Sequence, residues 1–322
     1  MPKVSIIIPN YNYKQYLPKR IDSVLHQTFD DYEIILLDDN STDGSKEYLQ
    51  NISKHSKVSA CILNDKNTGN PFVQWQNGIQ YAKGEYIWIA ESDDFCAPSF
   101  LEEMVSLLDS TPSASFAFCG SYIVDENCQF IKKNFDTWKL EDGKAFLYHS
   151  QDFLKHYLLW RCTSYNASMV LFRKSKYEKI QMTFSSLRYS GDWLFWIKMA
   201  EKGDVIILHK RLNFFRRHSA SVTIQANGGK EQLRERIEIY MYLLKLHYFG
   251  IYRNTLAKGC LYKDVKRAKL EEHVKKDLFR KIAKLGGSKS AYIVERIVKA
   301  LHSLIPCIAT PRQDPFKGKR IK

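Results

Sequence analysis

Four short apolar runs, at 4–9, 32–37, 57–63 and 86–90, alternate with stretches whose apolar residues recur at helical spacing. In the first of those stretches Leu17, Ile21, Val24 and Leu25 fall on one helical face. The runs are mostly apolar instead of strictly alternating, which reads as strands buried on both faces. Strand–helix alternation at this pace has one economical solution, a doubly wound, mostly parallel α/β sheet with right-handed crossovers and helices on both faces.

Three of these strands end in polar chemistry: Pro9-Asn-Tyr-Asn12 after the first, Asp38-Asp39 after the second and Glu91-Ser-Asp-Asp94 after the fourth. In an open α/β sheet ligands bind at the carboxyl edge of the strands. Carboxylates as close as Glu91, Asp93 and Asp94 repel one another unless something positive lies among them. One reading is a hard divalent cation, itself holding a phosphate-bearing substrate. The other is a solvated acidic turn ahead of a helix that starts near Pro98. Tyr11 offers a flat ring for a base, Asp39 can accept hydrogen bonds from a base or ribose, and Asp94 can hold a metal bridging a diphosphate. Together they describe a nucleotide-diphosphate site. The loop after the first strand carries neither G-x-G-x-x-G nor a P-loop, which argues against a nicotinamide dehydrogenase and a phosphate-loop ATPase.

Further along, a helix is expected at 98–109, a strand at 114–120 extending to 125, and an excursion at 126–150 that carries Trp138 over the active face. A short helix at 150–160 precedes a strand at 167–172. Gly191-Asp-Trp193 opens an apolar helix with Asp192 in its first turn. Short strands at 205–208 and 212–215 lead to Arg216-Arg-His218. From about 230 the chain turns basic. Residues 230–322 hold 23 Lys and Arg against 9 Asp and Glu, which accounts for the entire net charge of +14. Three helical segments are expected there, at 230–250, 263–285 and 288–305, the last two divided by Gly286-Gly287, before a loose tail at 314–322.

A neutral body with a basic appendage suggests a second task, against something anionic. Ile293, Ile297, Ala300, Leu301 and Leu304 share one helical stripe, with Arg296 and Lys299 off it, as in a helix lying on an anionic membrane. The alternative is that the stripe docks on the protein core or on a second subunit. Seven cysteines without a Cys-x-x-Cys pair argue against a disulfide framework or a zinc cage, and for a reducing compartment. The chain enters a strand at once, so no signal peptide is expected, and no apolar run reaches the roughly 18 residues of a spanning helix. A cytoplasmic protein, peripheral at the inner face of the cell membrane, is the expected setting.

Val4-Ser-Ile-Ile-Ile-Pro-Asn-Tyr-Asn12, Leu37-Asp-Asp-Asn-Ser-Thr-Asp43, Lys83-Gly-Glu-Tyr-Ile87 and Ser92-Asp-Asp94, in this order, resemble glycosyltransferase family 2. The resemblance covers roughly residues 1–220. It implies a GT-A fold and inverting transfer from a nucleotide sugar, with a UDP-sugar as the expected donor, to a glycan or lipid-linked acceptor in surface polysaccharide synthesis. With the change of charge at about 230, this gives a catalytic domain over 1–229, with a nucleotide-sugar half at about 1–120 and an acceptor half at about 121–229, followed by the basic helical region 230–322. By the same resemblance Pro9, Tyr11, Asn12 and Asp39 hold the nucleotide base, and Asp93 and Asp94 meet the ribose and a Mn2+ or Mg2+ ion. Asp192 is the catalytic base, and His218 closes over the diphosphate or metal. Two departures stand out. Glu91 replaces the commoner first Asp of the acidic run. Gln74-Trp-Gln-Asn77 lacks the Arg often found in the third helix, so that cation is either missing or supplied elsewhere, by Arg216 or Arg217, of which Arg217 is assigned to the donor. A sugar-nucleotide nucleotidyltransferase would need a glycine-rich, Arg-containing loop in place of Pro9-Asn-Tyr-Asn12. A nucleic-acid-binding protein would need aromatic or Arg readout on the basic helices, which instead mix Lys with Leu, Ile and Val. No nucleic-acid partner is expected.

Overall fold

Every residue from Val4 to Asn10 is buried, and this strand is the middle of the parallel block. The structure is a computed structural model that describes residues 1–131, 135–136, 142–180, 184–218, 229–304 and 318–322, with backbone only at 302–304. Trp138 and the start of the expected tail, 314–317, lie outside the described residues.

In chain order the elements are β1 (Val4–Asn10), α1 (Leu17–Leu25), β2 (Tyr32–Asp38), α2 (Ser45–Ile52), β3 (Val58–Leu63), α3 (Pro71–Tyr81), β4 (Tyr86–Ile89), β5 (Phe95–Cys96), α4 (Phe100–Asp109), β6 (Ala114–Val124) and β7 (Phe130–Ile131). There follow β8 (Ala145–Tyr148), α5 (Ser150–Phe153), β9 (Val170–Arg173), α6 (Lys174–Tyr177), α7 (Gly191–Ala200) and β10 (Asp204–Arg216). The chain closes with α8 (Lys230–Lys245), α9 (Ile251–Arg267), α10 (Glu272–Lys284), α11 (Lys289–Leu304) and β11 (Lys319–Arg320).

One sheet has the order β11-β8-β10-β6-β9-β4-β1-β2-β3, with β5 beside β10 and β7 beside β6. The strands β4, β1, β2 and β3 are parallel, and β6 is parallel to β10. The sheet is mixed, because β9 runs antiparallel to both β4 and β6 and joins the two parallel blocks. The chain steps from β1 to β2 and β3 on one side, then returns to place β4 on the other. The topological switch point, where a crevice opens in such sheets, therefore lies between β1 and β4.

Three expectations change. The strands expected at 205–208 and 212–215 are one long strand, β10, with irregular register near Arg211 that lets it bend while staying paired to β6. The helix expected at 150–160 is one α-helical turn, α5, followed by a wide π-type turn at Leu154–Leu158. Among the described residues the basic region holds four helices instead of three. Residues 251–262, which had no assigned periodicity, belong to α9.

Helix α9 comes so close to α11 that a Cβ at Gly259 would lie 2.3 Å from the Ala291 carbonyl oxygen. The buried Glu295 of α11 receives Lys263 Nζ at 3.0 Å. Gly286, at φ +72°, ends α10 and separates it from α11 as the sequence suggests. Among the described residues no helix is long and apolar enough to cross a membrane.

Candidate active site

Strands β1, β2 and β4 deliver their carboxyl ends to one edge, and the chain ties those ends together. Ser92 Oγ donates to the Pro9 carbonyl at 2.5 Å, and Asp39 N–H to the Asn10 carbonyl at 2.9 Å. Asn12 and Asn40 have φ of +55° and +66°, a region Asn tolerates better than most residues. The Asn12 side chain accepts from Thr42 N–H at 2.8 Å, and buried Asp38 accepts from Ser41 and Asn10. Around this knot the Tyr11 ring stays 46% exposed. Asp39 is turned inward. Its carboxylate already accepts from Thr68 N–H and Oγ1, Asn64 Nδ2 and Gln74 Nε2, all between 2.8 and 3.0 Å. It braces the 64–68 loop against α3.

The acidic run divides by direction. Asp94 is wholly buried and accepts from Asn166 Nδ2 at 2.7 Å and Arg216 N–H at 3.0 Å. Asp93 faces His218, with Oδ2 and Nε2 3.0 Å apart. His218, expected with Asp94 at the metal, thus lies against Asp93. Adjacent residues leave a turn in different directions, and here Asp93 meets His218 while Asp94 turns to Asn166 and Arg216. The rings of Tyr13 and Tyr16 flank His218 at 5.2 and 5.1 Å. Burial, followed by the charge of Asp93, pushes the Glu91 carboxyl up to about 8, although Trp75 Nε1 donates to it at 2.7 Å. Burial and the charges of Asp93 and Glu91 likewise raise the Tyr13 phenol.

Two arginines run beneath this cluster: Arg216, one of the two named as a source of the missing cation, and Arg20, which nothing in the sequence motifs had placed there. Arg20 of α1 is fully buried. Its Nε donates to the Glu91 carbonyl at 2.8 Å and its Nη2 to Ser168 Oγ at 3.0 Å. The buried Arg216 donates from Nε to the Asp93 carbonyl at 2.7 Å and from Nη1 to the Glu126 carbonyl at 2.9 Å. Its guanidinium also lies over the Tyr16 ring. Arg216 is therefore committed to backbone, whereas Arg217 stands over Phe135 with part of its surface exposed. One signal for Arg20 was available, since it occupies a place on the apolar stripe of α1 between Leu17 and Val24. A charge on such a stripe is buried with it.

The lone carboxylate at the start of α7 is Asp192, followed by Trp193. A Cβ on Gly191 would lie 2.4 Å from the Phe72 ring and 2.6 Å from the Phe184 carbonyl oxygen, so the entry to α7 packs as only glycine allows. Asp192 Oδ1 accepts from its neighbour, Trp193 N–H, at 2.7 Å. Desolvation pushes its carboxyl up to about 6, opposed by hydrogen bonds from Trp193 and Cys162 and aided by the charge of Glu235. Helix α3 spans the space between Asp192 and the acidic run. Phe72 covers Gly191, while Trp75 bonds Glu91 and packs its ring 5.8 Å from Phe195 of α7.

The donor set at the crevice suits a divalent ion in part. Among the described residues no three His, Cys, Asp or Glu side chains converge as a closed cage. Asp93 and His218 supply two donors whose 3.0 Å separation matches neighbouring ligands of an octahedral ion at about 2.1 Å. Ions of that kind take their remaining ligands from substrate phosphates and water.

A family model described as "Glycosyl transferase family 2" matches residues 5–181. The GalNAc(5)-diNAcBac-PP-undecaprenol beta-1,3-glucosyltransferase of Campylobacter jejuni is 29% identical over 216 residues, covering 67% of this chain and 65% of that protein. Two solved structures share the fold. S. aureus TarS 1-349, in complex with UDP-GlcNAc, aligns with a TM-score of 0.58 at 16% identity, over 95% of this chain and 82% of that one. The mannosyltransferase PcManGT of Pyrobaculum calidifontis, in complex with GDP-Man and Mn2+, aligns with a TM-score of 0.53 at 15% identity, over 95% and 88%.

Proposed function

Because the chain belongs to glycosyltransferase family 2, we propose that it moves a sugar from a nucleotide-diphosphate sugar, a UDP-sugar, onto a glycan or lipid-linked acceptor in surface polysaccharide synthesis, with inversion at the anomeric carbon. The observation that carries this reading is the Asp93–His218 pair at the switch point between β1 and β4, with the single desolvated carboxylate Asp192 across α3. The undecaprenol-linked substrate named for the Campylobacter relative supports the acceptor class, and the UDP-GlcNAc in TarS supports the donor class.

Asp192 takes the proton of the acceptor hydroxyl as its oxygen forms a bond to the anomeric carbon. The bond from that carbon to the diphosphate breaks in the same displacement, and the electron pair leaves with the nucleoside diphosphate. No covalent nucleophile is needed. Asp93 and His218 would hold Mn2+ or Mg2+, which when bound neutralises charge on the diphosphate. Tyr11 and the Pro9–Asn12 loop receive the base. Asp39 frames the base side, and a base N–H reaches it only if a donor such as Thr68 gives way. Arg217 offers the nearby cation that Arg216 cannot. Domain limits at 229/230 are part of the same proposal.

A membrane setting has its own support. Ala291 and Glu295 face inward, while Ile293, Ile297 and Leu301 are 47%, 51% and 41% exposed, with Arg296 and Lys299 also outward. The stripe read from the sequence therefore points away from the core in this chain; the side chain of Leu304 lies outside the described residues. Apolar residues beside basic ones fit an anionic lipid surface. Release of nucleoside diphosphate from a panel of nucleotide sugars, with and without manganese, tests the activity. No release from any donor in the presence of a lipid-linked acceptor pool would overturn it.

A further inference from the structure

The three residues ahead of Gly191 and Asp192 present consecutive backbone N–H groups to one side chain. Arg188 N–H donates to Glu235 Oε1 at 2.7 Å, and Tyr189 and Ser190 N–H donate to Oε2 at 2.9 and 2.8 Å. Glu235 lies on α8, in the basic region, and is only 9% exposed. A carboxylate is desolvated at high cost unless its lone pairs are filled, and three N–H donors fill most of them. The same helix grips α7 one turn later. Tyr240 is buried and meets the Trp193 ring edge-on at 5.7 Å, while Trp193 Nε1 donates to the Leu158 carbonyl at 2.8 Å. Leu233 and Ile237 of α8 are buried alongside. Asp192 is thus bracketed by two contacts from α8, one on the backbone before it and one on the side chain after it.

We propose that Glu235 is a positioning residue for the transfer reaction: it fixes the 188–190 backbone and so sets where the Asp192 carboxylate stands. This inference rests on the reading of Asp192 as the base. It makes α8 part of the reaction apparatus instead of a separate appendage. The titratable groups bearing on Asp192 are the Cys162 thiol, with Arg161 beside it, from the segment after the π-type turn, and Glu235 itself from α8. Since the charge of Glu235 favours the protonated form of Asp192, removing that charge moves the acid limb of the rate profile to lower pH.

The test is a cycle of Glu235→Gln and Asp192→Asn, singly and together, with turnover measured at saturating donor and acceptor. An amide can accept on one atom only and turns its NH2 toward at least one backbone N–H. Turnover of Glu235→Gln should fall by roughly a hundredfold, the scale of a misplaced reacting group, with the donor KM unchanged and the acid limb displaced to lower pH. In the Asp192→Asn background the same substitution should change turnover little, because Glu235 acts through Asp192. An equal loss in both backgrounds, or an unmoved acid limb, would overturn the positioning role. Parent-like turnover of Glu235→Gln beside an inactive Asp192→Asn would overturn this inference alone. Parent-like turnover of Asp192→Asn would overturn the base assignment and this inference with it. Should Glu235→Gln fail to fold, Glu235→Asp serves in the same cycle. It keeps the charge but falls short of the three N–H groups, so turnover drops in the parent background only and the acid limb stays in place.

Discussion

Arg20 and Asp94 are both wholly inaccessible, and Arg20 Nη2 lies 4.0 Å from Asp94 Oδ2. The positive charge that the acidic run requires is therefore supplied in part by the protein. Arg20→Leu leaves Asp94 buried with one countercharge fewer, and loss of one partner of a buried pair costs about 3–5 kcal/mol. Urea denaturation should show this loss. A midpoint within experimental error of the parent would count against the structural role of Arg20.

Asp93 and Asp94 should separate cleanly by substitution. Asp93→Ala leaves the fold in place and abolishes manganese-dependent binding of UDP, which calorimetry can follow. Asp94→Ala strands Asn166 Nδ2 and Arg216 N–H without their acceptor and lowers the thermal midpoint. Equal stability of the two variants would contradict the division of roles.

Asp192→Asn should preserve donor binding and lower transfer by at least about a hundredfold, the usual scale of a lost general base. In the parent, Asp192 must be ionised to act, and its carboxyl sits at about 6. Turnover at saturating substrates should therefore fall about tenfold for each pH unit below that value. A product that retains the donor's anomeric configuration would rule out the single displacement.

The same elevation has a stability consequence. Asp192 is raised in the folded chain from 3.8 to about 6. Its contribution is fully present below about pH 4, where the group is protonated folded or unfolded, and is lost as pH rises through about 6. Asp192→Asn does not titrate. Its stability relative to the parent should increase between pH 4 and pH 7, as read from paired thermal melts, and a constant difference would show that the carboxyl is not desolvated.

For the outward face of α11, replacing Ile293, Ile297 and Leu301 together by Asp should abolish co-sedimentation with phosphatidylglycerol vesicles at low salt. Binding of the parent should weaken at high salt. Vesicle binding that survives the triple substitution would remove the membrane role. A change in sedimentation velocity without any change in vesicle binding would assign the face to a second copy of the chain.

Apolar runs and their punctuation were sufficient to locate β1 through β4, the helices between them, the loops that carry Tyr11, Asp39 and Asp93, and the helix start that carries Asp192. Such patterns are local, since burial on both faces leaves a continuous apolar run and burial on one face leaves a helical stripe. The outward stripe of α11 was legible for the same reason. Pairing and direction over long separations were not. That β9 enters antiparallel between β4 and β6, that Arg20 meets Ser168 and that Glu235 receives the backbone of Arg188 to Ser190 depend on contacts 45 to 148 residues apart in the chain. Nor could order along the chain tell which of two neighbouring aspartates faces the crevice. That choice belongs to tertiary structure, because a buried carboxylate goes where donors converge, and the donors of Asp94 come from Asn166 and Arg216 on other strands and turns.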